Sequence, residues 1–242
     1  MPTISKRDQP PHAVQLIRAE LNRLMQQPDP SCTGKTIGAA RAGIYAFFDY
    51  DGEPIYVGQT SSSFSDRIGR HLTGQRSDAV AKFILDPFEV AYVSMWSIPQ
   101  IGSARSPKDP SRAANTAEKR EMLDPYEYSV FKTLEESSRF HTVLNEGVIA
   151  PTALVERPQP VRGRIIPQDL WDDRKHSDIR IARRASTIAR LSQMISERQV
   201  SPGMRRTLLL QARRLEWLAE SRVRELGIEI ASPEDVVLDD DE

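Results

Sequence analysis

Apolar and polar positions alternate with different periods along the chain, and the period assigns the elements. Residues 12–27 place Val14, Ile17, Leu21 and Leu24 on one helical stripe, and PDPSCTGKT at 28–36 ends that helix. GIYAFFDY at 43–50 is a buried-looking strand, DGEP supplies turn chemistry, and IYVGQT at 55–60 completes a hairpin. SFSDRIGRHLTG at 63–74 reads as a helix capped near Ser63 or Ser65 and stopped by Gly74, and 88–98 alternates like a third strand. A long helix is predicted over 113–136, interrupted near Asp124-Pro125. Residues 151–168 hold Pro151, Pro158, Pro160 and Pro167, a linker composition. Beyond it, Ile181, Ala185, Ile188 and Ile195 share one stripe and Met204, Leu208, Leu215 and Leu218 another. Ser201-Pro202-Gly203 separates the two stripes, with Ser201 as N-cap and Pro202 at the first helical position, so they form an antiparallel hairpin.

These elements predict an α+β fold, a three-stranded central sheet flanked by helices with a C-terminal α-helical hairpin. The expected division is an N-terminal helix and connector (1–37), a central domain (38–150), a Pro-rich linker (151–176), a basic hairpin (177–226) and an acidic tail (227–242). No internal repeat is visible.

Composition narrows the class. Of 242 residues, 39% are apolar and 28% charged, enough for a globular core. No run of about 18 apolar residues exists, the N-terminal MPTISKRDQPPH lacks the apolar stretch of a secretory signal, and Cys32 is the single cysteine. The expectation is a reducing, cytoplasmic setting with no membrane partner, no disulfides and no cysteine-built zinc site. Net charge is −1 but is segregated: 174–224 carries 13 basic and 4 acidic residues, and 225–242 carries 8 acidic and no basic ones. A basic block of that size suggests a polyanionic partner. TGKT at 33–36 fails as a phosphate loop, because position 29 is Asp and no strand leads into it.

One constellation carries chemistry. GIY stands at 43–45 and YVG at 56–58, with ten residues between; Arg67 and His71 follow four apart; EYSVFK spans 127–132; Asn145 follows FHTVL. A hairpin can present Tyr45 and Tyr56 side by side, and Arg67 and His71 share a helix face. Glu127 offers a hard oxygen ligand, and Arg67 a bidentate grip on phosphate. Gly43 and Gly58 stand where the backbone bends or passes closely, and Gln59, Thr60 and Ser61 offer either phosphate donors or a simple turn.

Over residues 38–147 these motifs, in this order, resemble the GIY-YIG nuclease family. The resemblance implies a metal-dependent endonuclease hydrolysing phosphodiester bonds in DNA, in repair, restriction, defence or mobile-element biology. It implies Tyr45 as general base, Tyr56 or His71 relaying the proton or orienting water, and Arg67 on the phosphate. Glu127 would hold Mg²⁺ or Mn²⁺, with Gly43, Gly58 and Asn145 as structural support. The alternative is a catalytically silent GIY-YIG-fold adaptor binding nucleic acid or a protein. In the hairpin, Arg183, Arg184, Arg190, Arg205, Arg206, Arg213 and Arg214 are the expected nucleic-acid contacts, with self-association or partner binding as the other use of that element.

Overall fold

A computed structural model describes residues 10–72, 86–145 and 147–229. The expected acidic run at 234–242 and the Gly74 helix stop lie outside the described residues. In chain order the elements are α1 (His12–Met25), β1 (Gly43–Phe48), β2 (Pro54–Thr60), α2 (Phe64–Leu72), β3 (Tyr92–Ser97), α3 (Pro99–Gly102), α4 (Thr116–Ser137), β4 (Val161–Arg164), α5 (Gln168–Lys175), α6 (Ser177–Glu197) and α7 (Pro202–Glu225). Short 3₁₀ turns stand at Ile37–Ala39 and Pro87–Glu89. No helix among the described residues is long and apolar enough to cross a membrane.

The architecture is α+β. The sheet is antiparallel throughout, in the order β2-β1-β3-β4. Its first face, carrying Tyr45, Phe47, Val93 and Met95, packs under Leu21 and Leu24 of α1 and Phe64 and Ile68 of α2. The second face, carrying Ile44, Ala46, Val57 and Trp96, packs on Leu123 and Val130 of α4. With both faces covered, β1 is buried at every position, which is why its sequence reads as a continuous apolar run. Each fully buried aliphatic or aromatic side chain contributes about 1.5–3 kcal/mol.

The sheet has four strands where the sequence pattern predicts three, because β4 comes from the expected linker. Prolines argue against a strand there, yet Pro160 and Pro167 flank β4 at the sheet's edge, where a missing N–H costs no ladder bond. Gly163 sits so close to α1 that a Cβ would lie 2.4 Å from Leu24 Cδ1. Arg162 lies over the Phe48 ring at 4.1 Å, Ile165 and Ile166 are fully buried, and Trp171 of α5 packs on Tyr50 and Tyr92. Residues 161–175 are therefore part of the packed body.

Helix α4 starts in a capping box: Asn115 accepts from the Glu118 N–H, and the Glu118 carboxylate accepts from the Asn115 N–H. The interruption expected at Asp124-Pro125 does not occur; α4 continues through Pro125, with Leu123 and Val130 anchored on the sheet on either side. Ser201 caps α7 as expected.

Candidate active site

The site is built on β2, an edge strand. Cross-strand partners share a face, so the pairs Tyr45↔Gly58 and Phe47↔Tyr56 put Tyr45, Tyr56 and Gly58 on the α1/α2 side. Ile44↔Gln59 puts Gln59 on the α4 side. The unpaired side of β2 is covered by the segment at 143–145. Leu144 N donates to Ile55 O (3.0 Å), and the Asn145 side chain both accepts from Val57 N (2.9 Å) and donates to Val57 O (2.7 Å). Asn145 thus completes the sheet edge with an amide that imitates a strand.

On the first side, Tyr45 is completely buried, and its hydroxyl lies 2.6 Å from His71 Nε2 while accepting from Arg67 Nε at 3.2 Å. Arg67 and His71 converge on one phenol because they are one turn apart on α2. His71, also buried, sits among Tyr45, Phe47 and Tyr56, with ring centroids 5.4, 5.7 and 5.3 Å away. Burial, and then Tyr56, push the Tyr45 phenol well above its ordinary pKa, and Arg67 opposes this. Burial works against the Arg67 charge, but Tyr45, Tyr56 and Glu127 more than offset it and raise its pKa. Tyr56 and Arg67 are only partly buried.

Two glycines make this packing possible. A Cβ on Gly58 would lie 2.7 Å from both Tyr45 Oη and Tyr56 Cε1, inside the tyrosine pair. One on Gly43 would lie 2.3 Å from Trp96 O and 2.5 Å from Phe64 Cζ, lifting α2 off the sheet.

On the second side, Gln59 Nε2 donates to Glu127 Oε2 at 2.9 Å and to Asp124 Oδ1 at 2.7 Å. Burial raises the Glu127 pKa and Asp124 adds to it, while Gln59 and Arg67 lower it. The site therefore wraps around β2, phenols and imidazole on one side and carboxylates on the other, with Arg67 electrostatically linked to both. Asp124 was missed by sequence reasoning; its place one helical turn before Glu127 was the available signal, masked by Pro125 beside it. Gln59, expected as a phosphate donor or a turn residue, instead holds the carboxylate pair.

The hairpin arginines divide. Arg183 binds both Asp86 oxygens (2.6 and 2.7 Å), Arg184 is buried between Gln211 (2.8 Å), Asp49 (3.7 Å) and Glu89 (3.6 Å), and Arg214 is buried and donates to Pro54 O (2.8 Å). These three, expected as nucleic-acid contacts, have partners within the chain: Arg183 and Arg184 on acids and Arg214 on a backbone carbonyl fasten the hairpin to the sheet domain, as does Arg180 on Asp51 (2.6 Å). Arg190, Arg205, Arg206 and Arg213 are exposed.

Residues 41–98 match the family model of the GIY-YIG catalytic domain. No curated protein and no solved structure is significantly similar to the chain. The matched stretch contains β1 to β3, both tyrosines, Arg67 and His71, whereas Glu127 and Asn145 reach the site from outside it. Residues 41–98, about a quarter of the chain, are thus similar to a GIY-YIG catalytic domain.

Proposed function

We propose that the chain is a metal-dependent endonuclease that hydrolyses phosphodiester bonds in DNA. The observation that carries this is the convergence on one edge strand of two phenols, an imidazole and a guanidinium, with a carboxylate pair behind them. Phosphodiester hydrolysis requires a positioned nucleophile, neutralisation of charge on the phosphate oxygens and stabilisation of the leaving oxygen. Glu127, with Asp124 beside it, is the residue that would hold Mg²⁺ or Mn²⁺; the donor set fits, since these ions take hard oxygens, usually one or two carboxylates with waters. Among the described residues no group of three or more His, Cys, Asp or Glu could hold a metal; the carboxylates gathered at the site are Glu127 and Asp124. When bound, the ion would supply charge neutralisation at the phosphate.

The protein groups do the rest. Arg67 grips the phosphate oxygens. His71 Nε2 takes the Tyr45 proton and Arg67 Nε stabilises the phenolate left behind, which in turn takes the proton of the attacking water; the two partners thus offset the burial that holds the phenol protonated. Tyr56, the less buried phenol, orients the attacking water.

The test is single-turnover cleavage of duplex DNA with Mg²⁺. Glu127→Gln should lower the rate by about 10²- to 10³-fold, the scale of losing an electrostatic catalyst, with melting and DNA binding retained. Cleavage by that variant within threefold of wild type, or undiminished in excess EDTA, refutes the reading. The second reading, a catalytically silent adaptor, is favoured by one observation, the complete burial of Tyr45. DNA binding by the wild-type chain without cleavage in Mg²⁺ or Mn²⁺ would establish it.

A further inference from the structure

The tip of the hairpin has a core of its own, whereas Leu210 of α7 packs into the core under the sheet. The tip core of Leu191, Met194 and Met204, lined by Ile195, Val200 and Leu208, is drawn from hairpin residues alone. Residues 190–213 contain five arginines and one acid, Glu197. Arg190, Arg198, Arg205, Arg206 and Arg213 are all exposed, and among the described residues no side-chain ion pair or hydrogen bond engages any of them. Glu197 is itself engaged by Gln193. On α7, Arg206 and Arg213 lie two turns apart on one stripe, roughly 10 Å by helical rise, with Arg205 alongside. Five like charges left unneutralised on two packed helices repel one another, a cost that a polyanion lying across them removes. All five are arginines, whose planar fork binds phosphate oxygens bidentately.

We propose that the distal half of the hairpin is a docking surface for duplex DNA, bound through its phosphates by Arg190, Arg198, Arg205, Arg206 and Arg213. This rests on the DNA-cleaving reading of the GIY-YIG site and adds a second contact region remote in sequence from it. The surface supplies affinity without reading sequence, since phosphate contacts position a protein and base contacts specify. It holds the duplex while the site at β2 acts.

The experiment is fluorescence anisotropy of the full chain with a labelled duplex in EDTA, so that binding is measured without cleavage. The five arginines are replaced together by Gln, and Arg18→Gln/Arg23→Gln on α1 is the control for loss of exposed positive charge. Each phosphate that is no longer neutralised should reduce the slope of log affinity against log salt by about 0.9, so the five-site variant should lose about 3 to 4.5 in slope. Its Kd should weaken by about 30-fold or more near 0.1 M salt, with the control and the melting curves unchanged. A natively folded five-site variant that keeps wild-type affinity and slope overturns this inference alone. Equal affinity for a polyglutamate peptide at the same salt overturns DNA as the occupant in favour of an acidic protein. A wild-type chain that binds no duplex overturns both this inference and the nuclease reading.

Discussion

The two halves of the C-terminal hairpin contain the same residue type on the same pair of helices and use it in opposite ways. In the proximal half, Arg180, Arg183, Arg184 and Arg214 are turned inward, and the first three meet Asp49, Asp51, Asp86 and Glu89. In the distal half, five arginines face outward with no acid opposite them among the described residues. Helix periodicity does not separate these fates. The difference lies in what the sheet domain presents: the β1–β2 turn and the 3₁₀ turn before β3 place four carboxylates against the proximal half only. Charge density in a sequence therefore measures how much polyanion a helix needs, and the fold decides whether that polyanion is already inside the molecule. The energetics differ accordingly. Removing one partner from a buried pair strands the other charge in a poor solvent, whereas exposed charges are screened and change stability little.

The sharpest way to break this comparison is Arg184→Met. It strips Asp49 and Glu89 of a buried neighbour and should cost about 3–5 kcal/mol in denaturant unfolding. A cost below about 1 kcal/mol would place the docking energy elsewhere. Next in size is a pH effect at Glu89, whose carboxyl is pushed by burial up to about 7 against the pull of Arg184 and Arg180. The folded protein then holds this proton more tightly than the unfolded chain. The stability it contributes is fully present below about 4.5 and is lost as pH rises through about 7, up to about 3 kcal/mol in all. Glu89→Gln carries no charge at any pH and should flatten that decline; parallel stability profiles from pH 5 to 8 for the two proteins would refute it. The smallest effect is expected in the distal half. Single Arg190→Gln or Arg213→Gln changes should stay within about 0.5 kcal/mol of wild type, and a larger loss would mean that the distal arginines are structural too.

How far the sequence could be read depended on the range of the interactions. Tyr45, Tyr56 and Gly58 belong to one hairpin, and Arg67 and His71 to one helical turn, so their convergence is local and was legible from spacing. Gly58 could be singled out from its motif, but only the fold shows why: the two tyrosine rings occupy the space a Cβ would need. Asn145 was legible as a motif residue, but its partner, the backbone of Val57, is 88 positions away. Strand β4 was hidden because prolines argue against a strand unless it is known to lie at an edge, and being at an edge is a property of the whole sheet. Asp124 was hidden by its proline neighbour, and only the crossing of α4 behind β2 brings it to Gln59.

By itself, then, the chain determined α1, α2, α4, α6 and α7, the first three strands and the hairpin that carries the two tyrosines, but not α3 or α5, since local periodicity and short turns are set by residues a few positions apart. The tertiary structure alone decided which arginines would be buried. Pairing Arg180 with Asp51 closes 129 residues of chain and Arg183 with Asp86 closes 97. Such contacts form only where the packing of the apolar core has already placed the two surfaces together, because the ion pairs themselves barely repay the water they lose.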